Sequence, residues 1–177
     1  PTRTNADVQE NACGALSNLA VNDRNKEILG QDLMRAHRKQ ACGALRNLAF
    51  TDRNCELLVQ DLNVGAEIVA AMSTHRTNAD VQERACGALC NLASNNDRNR
   101  VILVQHLNVG EDIVDAMIAH RTNADVQDQA CSTILNLSSN AQVLQILIKL
   151  GARECVSDAH QRFPSSSICQ KAFAKLQ

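Results

Sequence analysis

Residues 76–93 read Arg-Thr-Asn-Ala-Asp-Val-Gln-Glu-Arg-Ala-Cys-Gly-Ala-Leu-Cys-Asn-Leu-Ala. Val81, Ala85, Cys86, Ala88, Leu89, Leu92 and Ala93 fall on one stripe at three- and four-residue steps, which predicts an amphipathic helix from Asp80 to Ala93. Asn78 precedes it as a cap, and Asp80 stands in the first turn, where a carboxylate meets the positive end of the helix dipole.

The phrase recurs along the chain. Arg-Thr-Asn-Ala-Asp-Val-Gln occupies Arg3 to Gln9, Arg76 to Gln82 and Arg121 to Gln127. Ala-Cys-Gly-Ala-Leu-x-Asn-Leu-Ala begins at Ala12, Ala41 and Ala85, and a looser copy, Ala-Cys-Ser-Thr-Ile-Leu-Asn-Leu-Ser, begins at Ala130. The offsets are 29, 44 and 45 residues. Self-similarity at about 40 to 47 residues belongs to helical repeat arrays, in which one unit cannot bury its apolar stripe alone and neighbours stack.

Within a unit, punctuation predicts the remaining helices. A break at Ser94 to Asp97 leaves Asp97 to cap a short helix running through Leu103 to about His106. Gly110, matched with Gly65 and Gly151, is expected as a flexible corner before a further helix, Glu111 to His120. Each unit then reads as short helix, glycine corner, medium helix, turn and long helix.

The long-helix phrases at Asp7 to Ala20, Lys39 to Ala49, Asp80 to Ala93 and Asp125 to Ser138 carry a resemblance to the armadillo-repeat family. The Asp-Arg-Asn turns at Asp23, Asp52 and Asp97 and the three glycines complete it, over nearly the whole chain. The resemblance implies an all-α fold, a right-handed superhelical solenoid of about four repeats with the second shortened. It implies a single domain over residues 1–177, with units at 1–21 (partial), 22–50 (shortened), 51–94, 95–139 and 140–177 (a C-terminal cap). A HEAT-like array with two helices per unit is the structural alternative.

Candidate binding residues follow from the helical period. Asn18, Asn47, Asn91 and Asn136 close the repeated phrases; Gly14, Gly43, Gly87 and Ser132 stand four residues earlier and Asn11, Gln40, Arg84 and Gln129 seven earlier, on the same face. The resemblance implies that the asparagines form a ladder on the concave surface and hydrogen-bond the main chain of a protein or extended peptide. An amide donates and accepts at once, which suits a backbone partner of any sequence. The same asparagines also suit bonds to their own backbone or the following turn, with Asn22 and Asn25 sharing in such a network. Nuclear-import members of the family carry Trp four residues before the asparagine. Gly or Ser in that place speaks against nuclear-signal recognition and for shallow pockets.

Composition sets the outer bounds. Hydrophobic residues make up 45% of the chain but aromatics only 2%, so the core must come from Leu, Ile, Val, Ala and Cys. Lys and Arg total 18 against 19 Asp and Glu, which leaves no basic field for nucleic acid or anionic membranes. Apolar runs such as Val101 to Val104 are too short for membrane insertion. Cys13, Cys42, Cys86 and Cys131 share one repeated position and read as reduced packing residues; Cys86 and Cys90, four apart, lack companions for a metal. His75, His120 and His37 share sequence neighbours and suit helix C-termini. Without a Ser-His-Asp phrase, phosphate loop or carboxylate pair, neither catalysis nor a cofactor is expected.

Two places break the pattern. The second unit lacks the corner glycine and the cap phrase, so a fused or distorted helix is expected at Arg35 to Lys39. At the C-terminus, Ala152 to Phe163 and Ser166 to Leu176 lose the phrase, as a capping unit does. Pro1 to Ala20 holds a long helix without its two predecessors, so the N-terminal face is expected to be continued by further chain or covered by a partner. The functional expectation is a non-enzymatic protein-binding or scaffold module, cytoplasmic or nuclear. A regulatory region of a larger enzyme and a structural subunit of a cytoskeletal or ciliary assembly are the rivals.

Overall fold

The architecture comes from a computed structural model, which describes Cys42 and residues 52–177. Among the described residues all regular structure is helical, and it falls into three consecutive units. In the first, α1 is α-helical over Asp52–Glu56 and π-wound over Leu57–Asp61, α2 is Val64–Thr74 and α3 is Ala79–Leu92. In the second, α4 is α-helical over Asp97–Val101 and π-wound over Ile102–His106, α5 is Val109–Ala119 and α6 is Ala124–Leu137. The last holds α7, Ala141–Lys149, α8, Ala152–Arg162, and α9, Ser167–Leu176. The partial first unit and the shortened second one, including Arg35 to Lys39, lie outside the described residues apart from Cys42.

The long helices α3 and α6 start where the repeated phrase places them, and α9, without the phrase, starts after a serine cap. Asn78 Oδ1 accepts from the Val81 amide at 3.2 Å, Asn123 Oδ1 from Val126 at 3.0 Å, and Ser166 Oγ from Cys169 at 3.1 Å. Each bond satisfies an amide that the helix leaves without a partner. The expected cap of α4 is corrected by one residue. Asn96 holds the extended backbone and accepts from Asn99 at 2.9 Å, while Asp97 sits in the first turn.

A larger correction concerns the glycines. Gly65 and Gly110 are not corners; they lie inside the first turns of α2 and α5, and the left-handed residues are Asn63 (φ 50°) and Asn108 (φ 54°). Asparagine visits this region at modest cost because its short polar side chain bonds locally. Gly65 serves close approach instead. A Cβ there would stand 2.6 Å from Leu107 Cδ1 and 2.9 Å from Leu103 Cδ2, and one on Gly110 would stand 2.7 Å from Leu150 Cδ1. Gly151, at φ 89°, caps α8 and so corresponds to Asn63 and Asn108 rather than to Gly65 and Gly110. From Asn96 to Asn108 the chain is one residue longer than from Asn140 to Gly151, and the π winding of α4 absorbs the extra residue.

Stacking buries the apolar stripes. α3 packs along α6, and α6 along α9, through a continuous core that includes Leu89, Leu92, Ile134 and Leu137. Each such buried side chain contributes roughly 1.5–3 kcal/mol. Cys42, Cys86 and Cys131 lie within this core, as the shared position in the phrase predicts.

Candidate functional site

On the neighbouring long helices, Arg84 and Asn91 of α3 stand where Gln129 and Asn136 of α6 stand, and all four are half-buried. The other members of the expected ladder, Asn18, Asn47, Asn11 and Gln40, lie outside the described residues. Equivalent polar residues thus recur on adjacent helices at the repeat distance.

Their hydrogen bonds show how much of each side chain is already used. Asn136 Nδ2 donates to the Cys90 carbonyl at 3.0 Å and meets Cys90 Sγ at 3.2 Å. Thr133 Oγ1 lies 2.8 Å from both the Cys86 carbonyl across the boundary and the Gln129 carbonyl on its own helix. Two side chains of α6 therefore reach backbone acceptors of α3, which belongs to the structural reading of the asparagine. The Asn91 carbonyl in turn accepts from Cys55 Sγ at 3.3 Å. Arg84 differs, because its Nε is buried and has no hydrogen-bond partner among the described residues. Gly87 does not open a slot: it is buried, while Ser132 is half-buried. Asp128 accepts from Ser166 Oγ at 2.6 Å, so this carboxylate is engaged by the next unit.

Two further polar positions matter more to the architecture than the sequence suggests. Gln82 Nε2 donates to the Met72 and His75 carbonyls at 2.9 and 3.0 Å, and Gln127 Nε2 repeats this with Met117 and His120 at 2.9 and 3.1 Å. Both glutamines are buried and fasten the C-terminal carbonyls of a medium helix to its long helix. Asn99, fully buried, donates to the Cys55 and Leu92 carbonyls at 3.0 and 3.1 Å and accepts from Gln60 at 3.0 Å. Recurrence of Val-Gln and of Asp-Arg-Asn was the available signal, but burial was not readable from it.

The medium helices form a second surface. His75 and His120 close α2 and α5 as C-caps, and His120 Nε2 donates to the Arg76 carbonyl at 2.7 Å. Arg76 pairs with Asp115 at 3.1 Å, and Arg121 repeats the pair with Asp158 at 3.0 Å. All four side chains are solvated, so the pairs are screened by water and add little to stability. Ile118, 61% exposed, lies between two shallow clefts; the first holds Asp112, whose carboxyl is pushed up by burial against a hydrogen bond from Ser73.

The described residues contain no cluster of three or more His, Cys, Asp and Glu suited to a metal. Burial pushes the Cys86 thiol up to about 12, which keeps it protonated and inert near neutral pH. No helix among the described residues is long and apolar enough to cross a membrane.

No protein-family model matches the chain, and no curated protein does. Three solved structures share its fold, each the crystal structure of an engineered protein from the Northeast Structural Genomics Consortium. They are 24%, 22% and 23% identical to the chain, with TM-scores of 0.69, 0.65 and 0.67. The matches cover 99% of this chain and 77%, 75% and 44% of the others. At that identity the likeness speaks to fold alone, and it agrees with an all-α chain.

Proposed function

We propose that the chain is an armadillo-like, right-handed superhelical solenoid that works as a non-enzymatic protein-binding or scaffold module. Its partner is a protein segment lying along the concave face of the long helices. The observation that carries this reading is Arg84, a half-buried cation on that face with Nε unpartnered among the described residues. Because Nε itself is buried, a partner's main-chain carbonyls or carboxylates would meet the terminal nitrogens of this half-buried guanidinium. Asn136, with Nδ2 engaged by Cys90, offers its Oδ1 to partner amides. Gln129 and Asn91 extend the row in both directions.

The test is site-specific photocrosslinking in extracts of the source cells, with benzoylphenylalanine placed at position 84, 129 or 118. Partner adducts from 84 and 129 but not from 118 support the reading. Adducts only from 118, on the medium-helix surface, defeat it.

A further inference from the structure

We propose that the segment bound along the concave face is acidic, with two carboxylates spaced to meet Arg84 on α3 and Lys175 on α9; this occupant rests on the concave-face reading above. The caps set the three long helices in register. Asn78, Asn123 and Ser166 each accept from the amide three residues on, so each marks the same point of its helix. Counted from those caps, Arg84 matches Gln129 and Ala172, Gly87 matches Ser132 and Lys175, and Asn91 matches Asn136. Steps of three and four residues keep these rows on one side of each helix. α6 packs on α3 and α9 packs on α6, so the rows run on from unit to unit.

Among the described residues, the charged members of these rows are Arg84 and Lys175, and both are cations. The groups between them on α6, Gln129, Ser132 and Asn136, are neutral and half-buried. The carboxylates of α3 and α6 stand outside the rows. Asp80 and Asp125 lie in the first turns, at the positive ends of the helix dipoles. Glu83 and Asp128 precede Arg84 and Gln129 by one residue, and Asp128 is held by Ser166 Oγ at 2.6 Å. On α9 the position of Glu83 and Asp128 is taken by Lys171, an exposed lysine one turn before Lys175. The strip is thus positive at both ends and neutral in the middle, which an acidic segment complements and a basic one does not.

The two ends contribute unequally. The half-buried guanidinium of Arg84 offers its terminal nitrogens to a carboxylate in a setting less screened than open water. Lys175 is exposed and acts as a weaker point charge. Packed helices lie about 8–10 Å apart and an extended chain rises about 3.3 Å per residue, so two helix boundaries correspond to about five or six residues of the occupant. That distance is the spacing expected between its two carboxylates.

The experiment pans a phage-displayed library of random peptides, roughly twelve residues long to cover this span, against the unsubstituted 177-residue protein at low salt. The enriched peptides are then tested on protein carrying benzoylphenylalanine at position 129 or 118. The expected pool is enriched in pairs of Asp or Glu about that far apart, and its peptides crosslink from 129 and not from 118. Arg84→Gln weakens their binding by about tenfold or more, and Lys175→Gln by about two- to fivefold. Peptides that crosslink from 129 without acidic enrichment overturn the acidic occupant and leave the concave-face reading standing. Peptides that crosslink only from 118 remove that reading and this occupant with it. A pool with no enrichment at all overturns the proposal, as do acidic peptides whose affinity neither substitution changes. The composition of the pool is read on the unsubstituted protein, so it decides the matter even where a variant fails to fold.

Discussion

The amide of Asn136 crosses a repeat boundary to the carbonyl of Cys90, at 3.0 Å. A residue that we propose faces a partner is thereby also a clip between units, and the two roles separate by atom. Nδ2 holds the stack, whereas Oδ1 is the part a partner would meet. Asn136→Ala should therefore destabilise the fold by about 1 kcal/mol, the net worth of one partly buried hydrogen bond. Urea unfolding measures this. If the same substitution weakens partner binding far beyond the lost stability, Oδ1 contributes to recognition; a change in stability alone leaves Asn136 purely structural.

Asn99 should be the costlier loss. Asn99→Val deletes the donor to two buried carbonyls and strands Gln60, and the expected destabilisation is about 2–3 kcal/mol. The corresponding position in the last unit is a fully buried Val143, so shape is not the obstacle. A loss under 0.5 kcal/mol in chemical denaturation would mean the acceptors find water or other donors.

The glycines make opposite predictions according to their place. Gly110→Ala forces a methyl toward Leu150 and Leu147 and should cost about 1–3 kcal/mol through overpacking. At Gly151 the constraint is the left-handed backbone, with only Glu154 Oε2 within 3.8 Å of a new Cβ. Gly151→Asn should be better tolerated than Gly151→Ala, because Asn63 and Asn108 already hold that conformation in the preceding units. Thermal melts of the three variants decide it, and equal midpoints for the two Gly151 variants would count against the backbone argument.

Asp112 and Asp158 should give stability opposite pH slopes. Burial raises the Asp112 carboxyl above 3.8, so the folded state binds its proton more tightly and stability falls as pH rises from that value through the folded one. Hydrogen bonds from Arg162 and then Arg121 lower Asp158, whose contribution is present above 3.8 and lost as pH falls through its folded value. Asp112→Asn should remove the falling component and Asp158→Asn the rising one. Urea midpoints between about pH 3 and 7 test this; matching slopes for both variants would refute it.

Much of the fold is legible because helical periodicity and repetition are local properties. The stripe from Val81 to Leu92 lies on a helix of the expected extent, and its copy from Val126 to Leu137 does so a unit later. The caps at Asn78 and Asn123 follow for the same reason, since a cap bonds an amide three residues away. The cap of α4 falls on Asn96 and not on its neighbour Asp97, because both residue types cap well and only the backbone angle separates them.

The candidate site was less legible, because its chemistry depends on which unit lies alongside. Sequence alone determined that the chain is helical, built in repeats, poor in aromatics and equipped with recurring polar positions on its long helices. Only the tertiary structure decided which of those positions are occupied. Gly65 and Gly110 became contact points when Leu107 and Leu150 of the following units packed on them. Asn136 became a clip when the Cys90 carbonyl came within reach, and Arg84 kept an unpartnered nitrogen among the described residues. The physical reason is range: propensity and period act over a few residues, whereas a hydrogen bond or close contact between residues some forty apart exists only once the units stack.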